Sequence, residues 1–209
     1  MDTTEELRII SICSGSLGIE RGIERTGTKL RVVAYQEREA FVCYNICRQM
    51  EASLVDKAPV WTDVKTFNAR PFRNRIHGIV GGYPCQGESS AGQRLLEKDP
   101  RFLWPAIRRQ IRECNPLFCF FENVGSHLSG TFKYVLSDLR NMGYAVEAGV
   151  FTAAEVGAPH KRQRVFILAW SNTNEFRQSL ANAGGQPWDV PKESWWRNPV
   201  AAPRSSKAM

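Results

Sequence analysis

A chain of 209 residues that is 43% hydrophobic and 23% charged is long enough for one well-filled soluble domain and short for two. Lysine and arginine outnumber aspartate and glutamate by 28 to 21, a net charge of +7, which fits either a basic solvated surface or a polyanionic partner such as nucleic acid. The polar, acidic start MDTTEELRII is no signal peptide, and the longest clean apolar run, VFILAW at 165–170, cannot cross a bilayer. A cytoplasmic setting with reduced thiols is expected.

In chain order, the β-rich runs are LRIISIC (7–13), RVVAYQ (31–36), IHGIVGGY (76–83), LFCFFEN (117–123), YAVEAGVF (144–151) and RVFILAW (164–170). Several are apolar on both faces, as in a sheet covered on each side. Between them GIERGIERTG, REAFVCYNICRQM, RFLWPAIRRQIREC and GTFKYVLSDLRNMG carry helical spacing, and TG, CNP and MG supply stops. The alternation predicts a doubly wound α/β domain over 1–170 with a mostly parallel sheet. Residues 171–209 lose all period and hold Trp188, Trp195 and Trp196 among Pro, Ser, Asn and Gly. They read as a loosely ordered tail. Cys43 and Cys47 share a helix face without a wider ligand cluster, so buried packing is expected there and zinc is not.

The chemistry belongs at the carboxyl ends of the strands, where an open α/β sheet collects ligands. The first strand runs into the small-residue turn CSGSLGIERG, with Cys13, Ser14, Gly15, Leu17 and Gly18, which permits close backbone approach to a ligand. The second delivers Glu37, an acid placed to accept ribose hydroxyls, and PVW leads to a second acid, Asp63. Together they suggest an adenosine-containing cofactor. Further strands deliver Pro84-Cys85-Gln86 and Glu122-Asn123-Val124. After the sixth, GAPHKRQRVF puts Arg162 and Arg164 on one face as a strand begins. A cysteine facing a carboxylate is an arrangement for covalent catalysis with acid assistance.

The order of Gly-containing turn, Glu37, Asp63, PCQ, ENV and GAPHKRQR closely resembles the DNA cytosine-5 methyltransferase family over about residues 7–170. Asp99–Arg101, with Leu103 and WPAIRRQIRECNP after it, also looks like that family. The resemblance implies a Rossmann-like S-adenosylmethionine-dependent methyltransferase fold acting on DNA. Cys85 would be the nucleophile toward carbon 6 of a flipped cytosine. Glu122 would address ring nitrogen 3, with Arg162 and Arg164 activating the site. Cys13, Ser14, Gly15, Leu17, Gly18, Glu37, Asp63, Pro84 and Leu103 would hold the cofactor. Gln86, Ser89 and Asn123 would contact the substrate, and no metal is implied.

The chain also departs from the family pattern. Cys13 stands where an aromatic residue is usual, and Leu17 where glycine is, so a side chain at 17 is expected to crowd the cofactor or strain the turn. After PCQ the chain continues Gly87-Glu88-Ser89, and His160 stands where glutamine is usual. The resemblance further implies a target-recognition domain and a final segment that packs on the first helix, and 171–209 cannot hold both. Three readings follow: one subunit of a split methyltransferase, a non-catalytic relative that binds cofactor, DNA or protein, or an enzyme active alone with relaxed sequence preference. An RNA substrate is a further option. An apolar patch near the first helix is expected to be left open.

Overall fold

β1 (Leu7–Ile12) is buried at five of its six positions, with only Arg8 outside, and it anchors the sheet. The computed structural model describes residues 6–84, 102–125, 131–171 and 176. After β1 come α1 (Gly18–Glu24), β2 (Leu30–Gln36), α2 (Ala40–Glu51) and the two-residue β3 (Val60–Trp61). A 3-10 turn (Arg70–Phe72) then precedes β4 (Gly78–Gly81), α3 (Trp104–Cys114) and β5 (Phe118–Val124). The chain closes with α4 (Phe132–Asn141), β6 (Tyr144–Thr152), a second 3-10 turn (Ala153–Val156) and β7 (Gln163–Ser171).

The strands form one sheet in the order β3-β2-β1-β4-β5-β7-β6. β1 pairs in parallel with β2 on one side and β4 on the other. The sheet is parallel from β3 to β5, and β7 then runs antiparallel to both β5 and β6. The predicted doubly wound, mostly parallel architecture is therefore present, with an antiparallel hairpin at one edge. The switch in strand order falls between β1 and β4, where such folds open a ligand crevice. Gly81 allows the close approach there: a β-carbon on it would lie 2.0 Å from the carbonyl oxygen of Ile12.

Strand periodicity divides the core in two. Ile10, Ile12, Ile79 and Phe121 point to the side covered by α3 and α4, with Trp104, Ile107, Ile111 and Leu139. Ile9, Tyr35 and Val80 point to the other, with Leu17 and Ile46. α3 buries Trp104, Ile107, Gln110, Ile111 and Cys114, one stripe at three- and four-residue steps. Asn115, in the left-handed conformation, ends it.

Two expectations need correction. Cys43 is only half-buried, its thiol 3.1 Å from the Glu37 carbonyl oxygen, and Cys47 is exposed, because α2 turns only a narrow face inward. Phe176, beyond residue 170, is buried and stacks at a tilt on Phe118, with ring centroids 5.5 Å apart. Trp188, Trp195 and Trp196 lie outside the described residues.

Candidate active site

The turn after β1 is built from two non-glycine residues in the left-handed region, Cys13 at φ 48° and Leu17 at φ 61°. Leu17 takes the left-handed backbone expected of a strained turn, and its side chain does not line the cavity beside that turn. Leu17 is 2% exposed and packs with Leu7, Ile9, Tyr35 and Ile46 beneath α1 and α2. The turn is held by Glu37, whose Oε2 accepts the Gly15 N–H at 2.8 Å while Oε1 accepts those of Arg38 and Glu39 at 2.8 and 2.9 Å. Ser14 donates its N–H to the Gln36 carbonyl, tying the turn to β2. Asp63, exposed, accepts the Lys65 N–H in a tight turn after β3.

A cavity of about 980 Å³ opens between this turn and the ends of β4 and β5. Cys13, Ser14, Gly15, Gly18, Gly81, Gly82 and Glu122 form its polar end. Leu17, Glu37, Asp63, Pro84 and Leu103 are absent from its wall among the described residues, although all sit on the same edge of the sheet. The volume lies within the range of cofactor sites. The open backbone around Gly15 fits the methionine end of a nucleoside cofactor, so the residues present suit the group the resemblance implied. Burial pushes the Cys13 thiol up to about 12, with Glu37 adding to the rise, so this cysteine stays neutral.

Glu122 and Arg164 meet in a close ion pair, the carboxylate 26% and the guanidinium 20% exposed. Antiparallel pairing sets Glu122 opposite Phe166 and Val124 opposite Arg164, which makes the pair a diagonal neighbour contact. Gly82 leaves room for it, since a β-carbon there would stand 2.8 Å from Glu122 Oε2. Burial raises the Glu122 pKa above the ordinary carboxylate value, and the Arg162 guanidinium opposes the rise. Asn123 is buried, donates to the Tyr83 carbonyl at 3.1 Å and accepts the Val124 N–H at 2.8 Å. It thereby holds the chain at Tyr83, two residues past the end of β4. Cys85, Gln86, Ser89 and Asp99–Arg101 lie outside the described residues.

Sequence reading missed one feature of this cavity. Glu20 on α1 lines it, 5% exposed and accepting a 2.5 Å hydrogen bond from the Ser11 hydroxyl. Its place in a helical run gave no sign of that. The other end is apolar, walled by Leu7, Ile19, Ile23, Phe120, Phe166 and Leu168. The apolar patch expected near the first helix lies here, among the described residues.

A profile of the family described as "C-5 cytosine-specific DNA methylase" matches residues 7–199. The chain belongs to that family. Among individual members, it is 30% identical over 177 residues to the Escherichia coli type II methyltransferase M.Eco47II, covering 78% of this chain and 39% of that protein. With the Neisseria gonorrhoeae type II methyltransferase M.NgoMIV it shares 28% over 200 residues, 90% of this chain and 62% of the other. The chain thus spans less than two thirds of the length of these methyltransferases. Solved structures share the fold. The Schizosaccharomyces pombe Dnmt2 methyltransferase superposes with a TM-score of 0.62 at 21% identity over 80% of this chain and 50% of that one. The Entamoeba histolytica methyltransferase EhMeth gives 0.64 at 15%, over 81% and 54%.

Proposed function

We propose that this chain carries the catalytic half of a DNA cytosine-5 methyltransferase. The observation that carries the proposal is Glu122, held on the cavity wall by Arg164 with its pKa raised. Such a carboxyl keeps a proton to higher pH than an ordinary one and can share it with ring nitrogen 3 of a cytosine. Drawing charge toward that nitrogen makes carbon 6 open to the Cys85 thiolate. A carbon–sulfur bond forms there, and the displaced electron pair enriches carbon 5. The Cys13–Gly18 turn would hold S-adenosylmethionine, which when bound would give its methyl group to carbon 5 and be left as S-adenosylhomocysteine. The carbon 5 proton then leaves, its electron pair expels Cys85, and the ring regains its double bond. Arg162 keeps positive charge beside Glu122 throughout, and Asn123 holds the approach to Cys85 in register. The target base has to leave the stack, at a few kcal/mol, to reach this edge.

The test is a duplex carrying 5-fluorocytosine, incubated with the chain and S-adenosylmethionine. Fluorine cannot leave as a proton does, so turnover stops at a covalent protein–DNA adduct. Its appearance with wild type and absence with Cys85→Ala is the expected result. No adduct under any partner condition sinks the catalytic reading.

The apolar end of the cavity favours a refinement, in which a further polypeptide, supplying target recognition, seats against Ile19, Phe120 and Phe166. Light scattering tests it. A stable monomer with no partner recovered on co-expression counts against it.

A further inference from the structure

A second cluster of charge lies along α3, on the face of the sheet opposite the cavity. Arg70 and Arg73, from the 3-10 turn that feeds β4, face Arg108, Arg109 and Arg112 of α3 across a cleft of about 540 Å³. The remaining lining residues are Pro105 and Glu113. Asn74 donates its N–H to the Cys114 carbonyl at 3.0 Å, joining the turn to the end of α3 just before β4 and β5 begin. One end of the cleft therefore sits at the amino ends of β4 and β5, whose carboxyl ends carry Gly82 and Glu122, and the cleft runs back along α3 as far as Pro105. From Phe118, the first residue of β5, to Glu122 is four residues, roughly 13 Å at about 3.3 Å each.

Internal pairing leaves much of this charge uncancelled. Arg109 binds Glu113 with one nitrogen at 3.0 and 2.9 Å and the Lys65 and Phe67 carbonyls with another. Arg108 pairs with Asp138 at 3.1 Å. Arg70 shares Glu113 only at 3.8 Å with its side chain 80% exposed. Arg73 reaches the Arg112 carbonyl at 3.2 Å. Arg112 is exposed and, among the described residues, pairs with no carboxylate. Among the described residues, five guanidinium groups thus meet two carboxylates, and Arg70, Arg73 and Arg112 are exposed around one concavity.

We infer that this cleft is a nucleic-acid contact separate from the catalytic edge, taking the phosphate backbone of duplex beyond the stretch held at Glu122. Guanidinium forks match phosphate oxygens two at a time, and Arg109 is already locked by its own hydrogen bonds, which preorganises the wall. An acidic protein partner fits less well. Protein interfaces are anchored by apolar and aromatic side chains in a charge-poor centre, and this cleft offers only Pro105. Phosphate contacts hold a protein on DNA without reading sequence. The inference rests on the DNA substrate proposed above.

The experiment measures affinity for a long mixed-sequence duplex against salt concentration, for wild type, Arg70→Gln/Arg112→Gln and the control Arg31→Gln/Arg48→Gln. Both double variants remove two exposed charges, so their net charge is the same. Thermal melts check that each folds. If the cleft holds phosphates, the Arg70/Arg112 variant loses about two from the slope of log affinity against log salt, near 0.9 per phosphate, and the control loses much less. Equal slopes for the two variants overturn the cleft, as does wild type that binds no duplex. Polyglutamate that competes with wild type while Arg70→Gln/Arg112→Gln leaves duplex binding unchanged assigns the cleft to acidic protein and also overturns it. The 5-fluorocytosine adduct separates the two readings. An adduct with cleft-independent binding removes the cleft alone, and cleft-dependent binding without an adduct removes the catalytic reading alone.

Discussion

Glu122 and Arg164 lie on neighbouring antiparallel strands, β5 and β7, and join in an ion pair at the sheet's carboxyl edge. Neither is fully solvated, and burial, opposed by the Arg162 guanidinium, raises the Glu122 pKa on the cavity wall. Replacing Glu122 with glutamine removes the proton donor while keeping the shape. Turnover on duplex should fall by about 10²-fold or more, the usual worth of a positioned acid, with a smaller change in cofactor affinity. Arg164→Ala takes away the favourable charge and should move the Glu122 pKa further up. The pH–rate profile would then shift toward higher pH, together with a loss in rate. An unchanged profile would mean that Glu122 is not the titrating acid.

Leu17 holds a left-handed backbone conformation and is also buried. Leu17→Gly relieves a backbone cost of about 1–2 kcal/mol. It also removes a core side chain worth about 2–5 kcal/mol. Packing wins, and urea unfolding should register a net loss of about 1–3 kcal/mol. Because Leu17 does not line the cavity, S-adenosylmethionine affinity should stay within about twofold of wild type by calorimetry. Tighter cofactor binding in Leu17→Gly would restore the crowding idea.

Asn123 satisfies the Tyr83 carbonyl and the Val124 N–H from one buried amide. Asn123→Ala leaves both without that partner, at about 1–3 kcal/mol of stability. The sharper readout is the rate of adduct formation, which should fall more than cofactor affinity does, because the chain leading into Cys85 loses its clamp. Equal losses in both would reduce Asn123 to a purely structural residue.

Burial raises the Glu20 carboxyl pKa above its ordinary value, against the Ser11 hydrogen bond that lowers it. A carboxyl with a higher pKa folded than unfolded gives stability that is complete below the unfolded value, about 4.3, and is lost as pH rises through the folded one. Glu20→Gln removes that dependence and can still accept the Ser11 hydroxyl. Its melting temperature should therefore gain on wild type steadily as pH rises from about 4 toward neutrality. A gap that narrows with pH would reverse the assignment.

The order of strands and helices was legible in the sequence because each element's apolar period is local. All the expected strand and helix segments appear among the described residues, with ends shifted by a few residues where caps decide. So was the edge that carries Glu37, Asp63, Glu122 and Asn123, since a parallel sheet delivers its strand-end residues to one side. Other features depend on residues far apart in the chain. Gln36 and Gln110 lie 74 residues apart and exchange two buried amide hydrogen bonds at 2.8 and 3.0 Å, which fixes α3 against β2. Glu37 spends its oxygens on the backbone N–H of Gly15 in the turn and on those of Arg38 and Glu39 ahead of α2, a use that no spacing could reveal. The side on which Leu17 is buried, and the meeting of arginines from 70–73 with those of 108–112, likewise followed only from packing. Periodicity and turn chemistry act over a few residues and can be read along the chain. Burial, ion pairing and cavities are set by which surfaces meet, and only the tertiary structure decided those.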